Sequence, residues 1–89
     1  MEKDNFNELL FEAILTLKTK EECSQFFGDA CTPKEISAIA QRFAVAKLLS
    51  EKKVYNEIAE KTGASTATIS RVSRSMDKGF SLALERLSK

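Results

Sequence analysis

Eighty-nine residues, 43% hydrophobic and 30% charged, fit one small domain and leave no room for two. Fourteen Lys and Arg stand against thirteen Asp and Glu, and the absence of histidine removes imidazole from every Ser-His-Asp, Cys-His or common zinc scheme, so no enzyme and no metal site are expected. No apolar run approaches the roughly 18 residues needed to span a bilayer, and Met1-Glu2-Lys3-Asp4-Asn5 is too polar to open a signal peptide; a cytoplasmic protein with no membrane partner is expected.

A chain this short buries only about 60–65% of the surface its unfolded form exposes, so a second copy is expected to enlarge the core. The net charge of +1 is unevenly distributed. Residues 1–51 carry six basic and nine acidic side chains, whereas residues 52–89 carry eight and four, and a basic half is a recognised hint of nucleic-acid contact. Cys23 and Cys31 form no C-x-x-C pair and signal neither zinc nor a disulfide framework; Cys23, at an apolar helical spacing, reads as a small buried residue.

The pattern is helical throughout. Phe6, Leu9, Leu10, Ala13, Ile14 and Leu17 form one stripe, with Asn7, Glu8, Glu12 and Thr16 opposite. Thr19-Lys20-Glu21-Glu22 has the form of a capping box and predicts a short helix carrying Cys23, Phe26 and Phe27 and ending at Gly28. Thr32-Pro33-Lys34-Glu35 is a second box, with Pro33 at the first helical position, where its missing N–H costs nothing. It predicts a long helix to about Ser50, with Ile36, Ile39, Ala40, Phe43 and Ala46 to Leu49 on its inner face. Three shorter helices are predicted beyond it, over Val54–Thr62, Ser65–Met76 and roughly Phe80–Leu87, with Gly63 and Gly79 as punctuation.

The segment from Tyr55 to Arg74 has the pattern of a helix-turn-helix. Two helices that cross steeply need a small residue at the crossing, a turn residue that tolerates positive φ, and apolar side chains sealing the angle. Ala59, Gly63 and the set Ile58, Ile69 and Val72 meet these demands in order. The second helix then opens with Thr66, Ala67 and Thr68, small enough to let a helix N-terminus approach base edges. Ser70, Arg71, Ser73, Arg74 and Ser75 follow with hydroxyl and guanidinium donors, and no acidic residue falls between Thr66 and Met76, which suits phosphates. The competing reading is a solvated structural helix, but so many Ser and Thr cost helix stability that such a surface has no need to give up.

Thr32-Pro33 opening a long helix, followed by Thr62-Gly63-Ala64-Ser65-Thr66-Ala67-Thr68-Ile69-Ser70-Arg71, resembles the Trp repressor family, and especially its small relatives without an assigned ligand. The similarity covers roughly residues 6–88 and is most specific from Gly63 to Ser75. The resemblance implies an all-α fold of about six helices in an intertwined homodimer. Dimerisation helices would occupy about 5–50 and 79–88 and the helix-turn-helix about 54–76 of a single domain spanning 1–89. It further implies two recognition helices about one DNA turn apart, serving operator half-sites centred roughly 34–36 Å from each other.

Carried over position by position, the family's DNA contacts fall on Asn56 in the first helix of the motif and on Ser65, Thr66, Ala67 and Ser70 in the second; Thr68 joins them on its own chemistry. The first-helix positions where the family has Arg and Lys are Asn56 and Ala59 here, and Lys61, Arg74 and Lys78 are expected to supply phosphate contacts instead. The family grips an indole between two arginines, and Arg42 and Arg71 fall at the matching places, with Thr32 and Ser75 as further effector contacts. Val72 departs from the family, which has glycine there, and it pushes an isopropyl group toward the space of an indole. A small-molecule co-repressor is left open as a cofactor, with Val72 arguing against tryptophan.

Two other signals are weaker. Ser75-Met76-Asp77-Lys78 and Ser50-Glu51-Lys52-Lys53 fit S-x-x-K by chance, without its companion motifs. The Phe6–Leu17 stripe has an acidic polar face where a membrane-surface helix wants Lys and Arg, so it suits a partner helix or a dimer core. The expectation is a sequence-specific DNA-binding regulator, a homodimeric repressor on a palindromic operator, with double-stranded DNA as partner. The alternative is a helix-turn-helix-shaped protein-interaction module without specific DNA binding.

Overall fold

The computed structural model describes residues 5–89, which contain six α-helices and no strand. The start of the 1–89 domain, residues 1–4, lies outside the described residues. The helices are α1 (Phe6–Leu15), α2 (Lys20–Ala30), α3 (Pro33–Ser50), α4 (Tyr55–Thr62), α5 (Thr66–Ser75) and α6 (Gly79–Leu87). The chain divides into two compact units, one up to Ile36 and one over Ser37–Lys89. No helix among the described residues is long and apolar enough to cross a membrane.

In the first unit the Thr32 capping box closes in full and the Thr19 box only by half. The Thr32 hydroxyl accepts from Glu35 N at 3.2 Å while the Glu35 carboxylate accepts from Thr32 N at 2.8 Å. Two otherwise orphaned N–H groups at the start of α3 are thereby satisfied reciprocally. At α2 the Thr19 hydroxyl accepts from Glu22 N, but the Glu22 carboxylate reaches one residue further back, to Lys18 N at 2.8 Å. Gly28 does not end α2, which runs on to Ala30. A glycine inside a helix costs only about 1 kcal/mol relative to alanine, and the chain leaves the helix at Cys31, which is extended at φ −133°, ψ 156°.

The first unit also departs from expectation at Cys23, which is exposed rather than buried. Most large apolar side chains of α1 are uncovered: Phe6, Leu9, Leu10, Phe11 and Leu15 are all exposed, Leu15 to 83%. Helix α1 ends at Leu15, so Leu17 belongs to the turn that follows, where its N–H donates to Ile14 O.

The second unit holds the core. Val45 and Ala46 of α3, Ile58 of α4, Ala64 of the turn, and Ile69 and Val72 of α5 are buried together. Leu48, Leu49, Ala59, Met76, Phe80 and Leu84 pack against them. Burying a side chain such as Ile58 or Ile69 contributes about 1.5–3 kcal/mol, and these residues draw α3, α4 and α5 onto one centre. Helix α3 ends in a Schellman turn: Lys53 N donates to Leu48 O and Lys52 N to Leu49 O, with Lys52 in the left-handed region at φ 65°.

Candidate nucleic-acid interface

Helices α4 and α5 are joined by three residues, and the turn between them is hydrogen-bonded throughout. Gly63 takes φ 74°, which a side chain would strain, and its N–H donates to Ala59 O at 2.9 Å. The Thr62 hydroxyl donates to Ile58 O at 2.7 Å and accepts from Ala64 N at 3.1 Å. Ala64 is buried, and Ile58, Ile69 and Val72 seal the angle as the spacing predicts. The turn is also tied from outside the motif, where Gln41 Nε2 of α3 donates to Thr62 O at 3.1 Å.

Helix α5 starts at Thr66 because Ser65 caps it, its hydroxyl accepting from Thr68 N at 3.1 Å. The same Ser65 hydroxyl donates to Thr68 Oγ1 at 3.1 Å, which leaves the Thr68 proton available to an outside acceptor. Thr66 and Ala67 are exposed, Thr68 and Ser70 half-buried. One helical turn on, Arg74 Nη1 donates to Ser70 Oγ at 2.8 Å, so the guanidinium is held along the helix and the Ser70 proton is likewise free to donate. With no acidic side chain in the first turn, the positive end of the α5 dipole adds to these donors.

The expected phosphate-binding residues lie on three elements. Asn56 is exposed in the first turn of α4, and Lys61 in its last turn pairs with Glu57 at 3.1 Å. Both partners of that pair are solvent-accessible, so it is weak and exchangeable. Arg74 is exposed near the end of α5, and Lys78 is the exposed residue preceding α6.

Three of the four expected effector residues share one open pocket of about 380 Å³: Arg42, Arg71 and Ser75 line it together with Val72, Gly79 and Phe80. The fourth, Thr32, is the cap of α3. Neither arginine has an ion-pair partner among the described residues, and the Ser75 hydroxyl donates to Arg71 O at 3.0 Å. Val72 is only 2% exposed and belongs to the core as well as to the pocket wall. Phe80 closes the opposite side, edge-on to Phe43 at a centroid distance of 5.2 Å.

Sequence reasoning missed Gln41 and the Phe43–Phe80 pair. Gln41 sits on a helix whose own pattern gives it no task, and its partner is 21 residues away. Among the described residues no group of three or more His, Cys, Asp or Glu could hold a metal ion.

Residues 6–88 match the Trp repressor protein family. The chain belongs to that family. An uncharacterised protein of Bacillus subtilis (strain 168), YerC, is 51% identical over 81 residues, covering 88% of this chain and 78% of the relative. A solved Trp-repressor-like protein from Eubacterium eligens ATCC 27750 superposes with a TM-score of 0.87 at 55% identity, over 91% of this chain and 87% of that one. A second solved structure, of a Trp-repressor-type protein from Staphylococcus aureus, gives 0.86 at 46% identity, over 91% and 84%. The six-helix fold and the helix-turn-helix of α4 and α5 are those of the Trp repressor family, a family of non-enzymatic DNA-binding regulators.

Proposed function

We propose that this Trp repressor family member is a sequence-specific transcriptional regulator that acts as a homodimer and represses by occupying a palindromic operator. The observation that carries the reading is the opening of α5, a capped helix N-terminus with exposed Thr66 and Ala67 and no acidic residue as far as Met76. Thr66, Ala67, Thr68 and Ser70 read base edges in the major groove, while Ser65 supports them as the cap and touches the DNA alongside. Asn56, Lys61, Arg74 and Lys78 take phosphates and fix the register. Family membership supports the same assignment.

The dimer is supported by what one chain leaves uncovered. Among the described residues six hydrophobic side chains are buried, whereas Phe6, Leu9, Leu10, Phe11 and Leu15 of α1 and Leu82 and Leu87 of α6 are exposed. A second copy covering these faces would supply the core that 89 residues lack, and its two-fold axis would demand a palindromic site.

The exposed apolar face of α1 also suits the alternative, a protein-interaction module without DNA specificity. Selection from a pool of random duplexes with purified protein at moderate salt separates the two. Enrichment of a palindrome supports the regulator; no enrichment, together with a tight complex to another protein through α1, supports the module.

A further inference from the structure

The inner face of the recognition helix carries Ile69, Val72 and Met76, spaced i, i+3 and i+7. Ile69 is fully buried, Val72 is 2% exposed, and Met76 packs on the same cluster with Phe80 from the first turn of α6. Phe80 in turn meets Phe43 of α3 edge-on. From Ile69 to its C-cap Met76, the recognition helix therefore packs on a cluster to which α3 and α6 of its own chain contribute.

Val72 and Phe80 also line the pocket between Arg42 and Arg71, where the family resemblance would place a flat aromatic effector. Such a ring would lie against bare helix backbone at position 72. With glycine there, the recess under α5 would open into the pocket, and a ring entering from solvent would join α5 to α3. In this chain Val72, buried in the core, and Phe80, packed against the same cluster, form the wall there. The packing that a ring would supply on that side of α5 is already made by these two side chains.

We propose that Val72 and Phe80 hold the recognition helix in its DNA-reading position, so that the protein binds its operator without a small-molecule effector. The inference rests on the DNA-binding reading above, and its test includes one readout that needs no DNA. Protein unfolded in guanidinium, refolded and dialysed carries no effector. Its dissociation constant for the palindrome recovered by selection is expected to change by less than about twofold on adding tryptophan, because a ligand without differential affinity shifts no equilibrium. Tightening by about tenfold or more would overturn the proposal.

Hydrogen exchange on the same effector-free protein supplies the second readout. Amides from Ile69 to Arg74 should be protected to the same order as those of Val45 to Leu48 in α3. Amides of α5 that exchange freely until tryptophan is added would overturn the proposal even if no duplex were ever enriched; protected amides with no enriched duplex would sink the DNA reading and leave the anchoring intact. Val72→Gly is expected to lose protection in α5 while α3 and α4 keep theirs, and Val72→Ala, with a smaller loss, serves if the glycine variant does not fold. Unchanged α5 protection in Val72→Ala would show that valine is not the anchor.

Discussion

Gln41 and Thr62 are joined by a hydrogen bond of 3.1 Å from the Gln41 side-chain amide to the Thr62 carbonyl, tying the long helix α3 to the turn of the helix-turn-helix. That carbonyl ends α4 and has no partner within its own helix. The bond is partly buried and closes the corner next to Gly63, whose ideal Cβ position lies 3.9 Å from the same nitrogen.

Replacing Gln41 by methionine keeps the bulk and removes the donor. A net intramolecular hydrogen bond contributes about 0.5–1.5 kcal/mol, with a larger loss when the abandoned acceptor is shielded from water. Urea unfolding of Gln41→Met should give a destabilisation of about 1 kcal/mol at unchanged m-value. A midpoint equal to that of the wild type would mean that the turn holds its geometry without α3.

Lys52 offers the opposite prospect. It sits in the left-handed region at φ 65° in the Schellman turn that ends α3, a conformation that costs a non-glycine residue roughly 1–2 kcal/mol. Lys52→Gly relieves this cost and gives back part of it through the greater entropy of the unfolded chain, so a net gain of about 0.5–1 kcal/mol is expected. Thermal or urea unfolding checks it, and a loss of stability would show that the lysine side chain makes an interaction worth more than the strain.

These two positions mark where the sequence stops being informative. Local chemistry was legible: Thr32 with Glu35, Gly63 at the turn and the Ile58, Ile69 and Val72 seal each follow from residue spacing, and each is in place, whereas α5 begins one residue later than predicted because Ser65 is its cap. The Gln41–Thr62 bond spans 21 residues and leaves no local trace. Lys52 is not the residue type that usually marks a left-handed cap, and Gly28, which is, lies inside a helix. Cys23 follows the apolar period of α2, yet period alone does not say whether anything covers the face. Within the candidate interface, the order of side chains along α5 is read directly from the sequence, but the hydroxyl relay from Ser65 to Thr68 and the Arg74–Ser70 bond depend on rotamers that residue spacing does not fix.

Glu51 carries a perturbed carboxyl at the end of α3. The hydrogen bond from Lys47 at 2.6 Å, reinforced by that ammonium's charge, holds the Glu51 carboxyl below the usual carboxylate range. A carboxyl with a lowered folded-state value contributes stability that is present above its unfolded value and lost as pH falls through the folded one. An NMR titration of the Glu51 side-chain carbon should therefore show a midpoint below that of an unpaired glutamate, moving upward in Lys47→Met and with added salt, because both groups are solvent-accessible. An unmoved midpoint in Lys47→Met would assign the shift elsewhere.

Arg74 tests phosphate binding by the recognition helix. Removing one phosphate-binding cation should make the dependence of log K on log salt shallower by about 0.9, and Arg74→Ala should show this while weakening all duplexes alike. Thr66→Val, which removes a hydroxyl from the first turn of α5, should instead narrow the gap between the selected palindrome and a scrambled duplex. An unchanged salt slope for Arg74→Ala would place that guanidinium off the DNA.

As a regulator, this chain would read a palindromic DNA sequence as a dimer, through the first turn of α5. The most direct measurement is the ratio of affinities for the selected palindrome and for a scrambled duplex of equal length, taken at physiological salt on the purified full-length protein. A specific regulator should prefer the palindrome by at least about 10³-fold, with two chains bound per duplex. A ratio near one, or one chain per duplex, would contradict it.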